Sequence, residues 1–255
     1  MSENRSYLGR MFDVLDLVVH ADTPVTASQV ASRAGIPVST AFRVTGLLVE
    51  RGLLQKQESG GLVPGSHLLQ LGLRAMTRFG GTRELDAVAR HIASQVPESV
   101  SAGLLVGDEI VLVARKEPAH SLRIVARVGD VIPPHTSAMG KAILAFLDDR
   151  RRNAVLAHAV GRDRAADVAA GLADELAEVR STGFARDEEM YAVGQRCRAV
   201  PLISAHAGVY GGLSIAGPTP RFSQHQADEA IPALLAGARS ISTPVELGPA
   251  EEATA

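Results

Sequence analysis

Cysteine is nearly absent. The lone Cys197 has no partner for an intrachain disulfide and cannot build a multi-cysteine zinc site, which fits a reducing compartment. Long apolar runs are missing as well. "GLLVGDEIVLVAR" is broken by charge well short of the roughly 18 residues a membrane span needs, and "MSENRSYLGR" lacks the apolar core of a signal peptide. A cytoplasmic protein with no membrane association is expected. The eight histidines show no HExxH-like spacing, and "GGLSIAG" has neither the GxGxxG spacing nor the following helix of a dinucleotide site. No metal and no cofactor is expected, although spacing alone leaves open a site joining Cys197 to a distant histidine. No Ser/His/Asp or Cys/His arrangement is recognisable, so no catalytic residue is assigned. Net charge is scarce too: 26 Lys+Arg against 28 Asp+Glu give −2, no advertisement for binding a polyanion.

What the chain does have is apolar material, 46% of its residues, enough to bury real cores in one large domain or two ordinary ones. Its charge is also unevenly divided. Residues 1–80 carry eight basic and six acidic side chains, residues 81–255 eighteen and twenty-two, so a slightly basic module precedes an acidic one.

The first module reads as three helices and a hairpin. Met11, Val14, Leu15, Val18 and Val19 recur at helical spacing between Leu8 and His20. Thr26 with Gln29 makes a capping box for a helix from Ala27 to Ala34, stopped by Gly35. A third helix starts at Pro37 or Ser39 and runs to Glu50 or Arg51. "LLQKQESGGLVPG" then gives two short extended runs about a turn. That order is a winged helix-turn-helix over 1–65, followed by a linker helix over 66–81.

In "GIPVSTAFRVTGLLVERGLL", Ala41, Val44, Leu47 and Leu48 form one stripe and Ser39, Thr40, Arg43 and Gly46 the other. The second stripe suits a DNA groove. Small hydroxyls at a helix N-terminus bond phosphates, and Arg43 can fork onto a guanine edge or clamp a phosphate. Phe42 either meets a thymine methyl or packs sideways on the first helix. Thr26 and Ser28, at the start of the preceding helix, and Lys56, the hairpin's one cation, complete the candidate contacts to double-stranded operator DNA. The third helix of any small bundle has a polar face, so the neighbouring capped helix and hairpin carry much of this reading.

The remainder, 82–243, places strands in two blocks around central helices, an α+β pattern rather than alternating βαβ. A helix over Thr82–Gln95 leads to a hairpin turning at Gly107-Asp108. "SLRIVARVGDVI" is read as a strand, and a helix opens at Thr136 or Ser137. Helical patterns fill 148–182. Strands return at "FARD", "CRAVPLI" and "GVYGGLSIAG", a last helix spans Ser223–Ser240, and 244–255 reads as a frayed tail.

Taken together, "GIPVSTAFRVTGLLVERGLL", "LLQLG", "RVGDVIPPHTSAMGKAILAFL", "GFARDEEMYAVGQRCRAVPL" and "GGLSIAGPTPR" resemble the IclR family of bacterial transcriptional regulators, in its order and spacing. The resemblance implies a winged helix-turn-helix that dimerises with its linker helix. It also implies a C-terminal GAF/profilin-like domain that binds a small effector, commonly a metabolite acid, and often assembles tetramers. Carried over by position, the pocket uses Ser137, Ala138, Met139 and Gly140, whose amides would face a carboxylate, then Asp187, Cys197 and Ser214, with Ile124 on the apolar side. This chain departs from the family at Met190, where a second Glu is usual, at Arg198, usually aliphatic, and at Ile203-Ser204, usually an aromatic-Asp pair. Ala216 replaces a second pocket serine, so an effector larger or more apolar than a two- or three-carbon acid is expected. The reading is a dimeric or tetrameric, effector-controlled regulator, repression being the expected sense. The rivals are an enzyme with an accessory helical domain and a sensor or oligomerisation module that touches no DNA.

Overall fold

The computed structural model describes residues 6–78, 82–118, 126–205 and 208–241. The chain divides into two compact units, Met1–Arg78 and Phe79–Ala255.

In the first unit, α1 (Tyr7–Val19), α2 (Ala27–Ala34) and α3 (Val38–Glu50) are followed by β1 (Leu54–Lys56), β2 (Leu62–Pro64) and α4 (Ser66–Arg78). The capping box forms: the Thr26 hydroxyl accepts from the Gln29 amide while the Gln29 side chain accepts from the Thr26 amide. Gly35 ends α2 at φ +64°, a left-handed conformation that glycine adopts freely. β1 and β2 pair antiparallel, and Val25 adds a bridge to Leu62 that ties the hairpin to the helices. Val14, Val18, Val30, Ala41, Val44, Leu48, Leu54 and Leu62 fill the core. Burying one leucine such as Leu48 stabilises the unit by about 1.5–3 kcal/mol.

The expected inner stripe of α3 needs one correction. Leu47 is 36% exposed, and Thr45 takes a place in the core at 4%. At 3.6 residues per turn, 41, 44, 45 and 48 share a face more closely than 47 does. The buried hydroxyl is satisfied within the helix, donating to the Ala41 carbonyl at 2.8 Å.

The second unit begins with α5 (Thr82–Ala93), β3 (Ser99–Val106), β4 (Glu109–Lys116), β5 (Val131–Ile132) and α6 (Ala138–Leu144). Three further helices follow, α7 (Asp149–Val160), α8 (Arg162–Gly171) and α9 (Ala173–Thr182). Then come β6 (Ala185–Glu188), β7 (Gln195–Ser204), β8 (Gly208–Pro218), α10 (Gln224–Glu229) and α11 (Ile231–Ser240). The sheet order is β5-β4-β3-β8-β7-β6, every pairing antiparallel. α5, α10 and α11 cover one face; α6 lies on the other, backed by α9. α6 approaches closely because glycine lies beneath it: a Cβ on Gly103 would stand 2.5 Å from Met139 Sδ.

Two boundaries differ from expectation. Of "SLRIVARVGDVI", residues 121–125 lie outside the described residues, 126–130 are not strand, and only Val131–Ile132 pairs, with β4. The helical stretch 148–182 resolves into three helices as its pattern allows, whereas Ser223–Ser240 is two, broken at Ala230 where Pro232 opens α11. Ile124 and the tail 244–255 lie outside the described residues.

Candidate functional site

α3 begins after Pro37 with no side-chain cap, so the first amides of the helix have no side-chain acceptor. Ser39, Phe42 and Arg43 are exposed, and Thr40 is half-buried. Phe42 is 58% exposed and thus not packed away against α1. Arg43 makes the contact to α1 instead, its guanidinium 5.1 Å from the Tyr7 ring centroid. Ser28 is exposed in the first turn of α2, and Lys56 is exposed at the end of β1. The Thr26 hydroxyl is engaged in its cap and donates to Gln29 Oε1 at 3.1 Å.

In the second unit, strand alternation gathers the other candidates. Asp187 pairs with Cys197, Cys197 with Ala216, and Ser101 lies between Ser214 and Arg115, all on the sheet face below α6. With Ser137, Ala138 and Met139 they line a cleft of about 440 Å³, its open mouth included. Gly140 is not on this wall. Its amide donates to Ser137 Oγ at 3.0 Å, and its missing side chain makes room for Pro134, whose carbonyl oxygen a Cβ would meet at 2.3 Å. Ser137 is equally engaged, donating to the Pro133 carbonyl at 2.7 Å.

Among the described residues, two buried acceptors on the cleft wall find no hydrogen-bond partner: Asp187 Oδ2 and Gln195 Oε1. The other Asp187 oxygen is fixed by the amides of Met190 at 2.8 Å and Tyr191 at 3.2 Å. Burial pushes the Asp187 carboxyl above the usual aspartate range, outweighing those two amides and the Lys141 charge. Burial, with the Asp187 charge, pushes the Cys197 thiol up to about 12. The buried thiol lines the cleft. Among the described residues no group of three His, Cys, Asp or Glu could hold a metal ion.

A raised carboxyl predicts a measurable gain on removal. Because the folded pKa of Asp187 lies above the unfolded one, the folded state holds the proton longer, and stability falls as pH rises through that window. Asp187→Asn keeps the Oδ1 acceptor and carries no charge. It should raise the melting temperature by a few degrees at neutral pH, and the gain should vanish in acid. A neutral-pH melting temperature at or below wild type would contradict the reading.

Ser101, Arg115, Tyr191 and Gln195 were not singled out from the sequence. Strict alternation in "VLVARK" would set Arg115 on the opposite face from Leu112; the register shift between β3 and β4, which skips Val113, brings both to the cleft and puts Arg115 across from Ser101.

A model for the IclR helix-turn-helix domain matches residues 8–58, and a model for the bacterial transcriptional regulator IclR C-terminal domain matches 76–243. The chain belongs to the IclR family. It is 27% identical to the HTH-type transcriptional regulator BhcR of Paracoccus denitrificans, over 92% of this chain and 85% of that protein. It is 25% identical to the transcriptional repressor IclR of Escherichia coli, over 87% and 83%. The solved Thermotoga maritima IclR has a TM-score of 0.71 and 26% identity over 92% of this chain and 96% of that one. An IclR homolog from Microbacterium hydrocarbonoxydans, solved in complex with 4-hydroxybenzoate, shares the fold with a TM-score of 0.75 and 24% identity, covering 92% and 97%. These relatives are transcriptional regulators, and so is this IclR-family chain, with the DNA binding that a helix-turn-helix domain implies. No helix among its described residues is long and apolar enough to cross a membrane.

Within this IclR-family chain the departures take defined places. Met190 is 56% exposed, and its sulfur lies 3.9 Å from Lys141 Nζ, which pairs with Glu175. Ile203 is 52% exposed and Ser204 buried. Arg198 points away from the cleft into an ion-pair network with Glu188 and Asp228. Ala216 lines the cleft without a hydroxyl, but Arg115 and Gln195 make the walls more polar than the lost serine suggested.

Proposed function

We propose that a dimer of this chain binds operator DNA through α3 of each copy and represses transcription until a small organic acid occupies the cleft of the second unit. The observation that carries the effector reading is the pair of buried, unpartnered acceptors on the cleft wall, Asp187 Oδ2 and Gln195 Oε1. Buried acceptors of this kind are costly unless something donates to them. A family relative crystallised with 4-hydroxybenzoate and others named as repressors agree with this reading.

On the DNA side, Ser39, Thr40 and Arg43 are the readers, Phe42 reaches for a thymine methyl, and Thr26, Ser28 and Lys56 lie beside the backbone. Dimerisation is supported by apolar side chains that this single chain leaves uncovered. On α4, Leu69 (63%), Leu73 (56%) and Met76 (44%) recur every three or four residues, and on α1 Leu8 (61%) and Phe12 (60%) do the same. Two recognition helices must then meet half-sites one turn, about 34 Å, or a multiple apart. Such a regulator works where the DNA is, in the cytoplasm.

A thermal-shift screen of carboxylic and aromatic acids, followed by mobility shift on DNA flanking the chain's own gene, tests this. One or more acids should raise the melting temperature, and the same acids should change DNA retention. A protein that retains no DNA fragment specifically, or whose retention ignores every stabilising acid, is not the regulator described here.

A further inference from the structure

α3 carries a glycine that its own fold does not use. Gly46 lies in the helix interior without a positive φ, and a Cβ there would meet nothing within 4 Å among the described residues. Glycine is the poorest helix former after proline, so the position costs stability and returns no packing inside the unit. At about 100° per residue, Gly46 falls between two rows of side chains. Val38 and Phe42 make one row, 52% and 58% exposed; Ser39 and Arg43, both exposed, make the other. Ala41, Val44, Thr45 and Leu48 anchor the opposite face in the core, so both rows are held facing outward.

We propose that α3 lies in the major groove along Gly46 and that Val38 and Phe42 read the C5 methyl groups of two thymines, with Ser39 and Arg43 on the polar edges or phosphates beside them. This deepens the operator-binding reading and rests on it. Charge selects nucleic acid over a protein partner for this face: residues 23–49 contain Arg33 and Arg43 and no Asp or Glu, in a chain with 28 acidic residues. Groove chemistry then selects the base. A valine or phenylalanine set against phosphates gains no apolar contact, and the thymine methyl is the apolar group that the major groove presents. Spacing sets the footprint. Val38 and Phe42 are four residues apart, about 6 Å along the axis, close to two base steps of about 3.4 Å each. A side chain at 46, on the crest between the rows, would hold the backbone off the bases, and glycine removes it.

The probe is the shortest duplex from upstream of the chain's own gene that the protein retains, remade with deoxyuridine at one thymine at a time, which removes the methyl and nothing else. Wild type should lose about fourfold in affinity at each of two thymines per half-site, about two base steps apart, the worth of one buried carbon each. Phe42→Ala should be indifferent to one of those replacements and Val38→Ala to the other; both side chains are exposed, so the melting temperature should hold. Gly46→Ala should move two readouts in opposite directions, raising the melting temperature by a few degrees while weakening DNA binding roughly fivefold or more. Equal affinity for every deoxyuridine duplex, unchanged discrimination in both alanine variants, or wild-type binding by Gly46→Ala would each overturn the assignment while the regulator reading stands. A Phe42→Ala protein that falls to monomers in the absence of DNA also overturns it, since the row would then join two copies. If no duplex is retained, the operator reading falls and this one with it.

Discussion

Replacing Glu188 and Asp228 together by alanine should destabilise the protein by about 3 kcal/mol, whereas Arg198→Leu should change stability by no more than about 1 kcal/mol. The asymmetry follows from where the charges sit. Arg198 is 0% exposed, its Nε bonded to Asp228 Oδ1 and its Nη1 to Glu188 Oε1, both at 2.7 Å, while Nη2 finds no partner among the described residues. The two carboxylates are about 40% exposed. Removing them strands a buried cation; removing the arginine leaves two acids that water already reaches. An aliphatic side chain in its place also packs against the apolar residues beneath α11. Burial raises the Glu188 carboxyl, but Arg196 and Arg198 outweigh it and hold the group below the usual glutamate range. Its contribution is complete above that range and is lost as pH falls through the lowered value. Urea titrations at neutral and acid pH measure both effects. Equal losses in the two variants would show that the pair, not its burial, sets the energy.

Arg43→Ala should weaken operator binding by about 1–3 kcal/mol, roughly fivefold to 150-fold, if the guanidinium reads a base edge. The mode of contact shows in the pattern of loss. A base reader relaxes specificity at one position, whereas a phosphate clamp weakens all sequences alike and lowers the salt slope by about 1. Tyr7 sharpens the expectation, because its ring holds the guanidinium in place before DNA arrives. Tyr7→Ala should therefore reduce affinity in the same direction by a smaller factor. A mobility-shift titration of Arg43→Ala that overlays wild type would take α3 out of the groove.

The helices of the first unit were legible because their signals are local. A capping box at Thr26, a glycine stop at Gly35 and a period of 3.6 fix α2 and α3 without reference to anything distant. Leu47 escaped because its stripe lay at the edge of the buried arc, where Thr45 satisfies its own hydroxyl and displaces it. The cleft was legible only in part. Ser137, Asp187, Cys197 and Ser214 were carried over from the IclR resemblance, but Arg115 and Gln195 reach the same wall through a register that pairs β4 with β3 and β7 with β8. Nothing local in "VARK" says that its arginine turns inward. The break between α10 and α11 had a visible cue in Pro232, which the continuous apolar pattern around it concealed.

Asp187 has one oxygen locked by two amides and the other bare, and this has an evolutionary edge. The group is rigid before any ligand comes, so recognition loses little freedom on binding, yet the empty fold carries the burden of an interred acid. Selection for heat tolerance alone would favour its replacement, and a lineage cultivated hot without the inducing compound should lose this aspartate before its neighbours. Retention of Asp187 under such a regime would show instead that the position serves the fold.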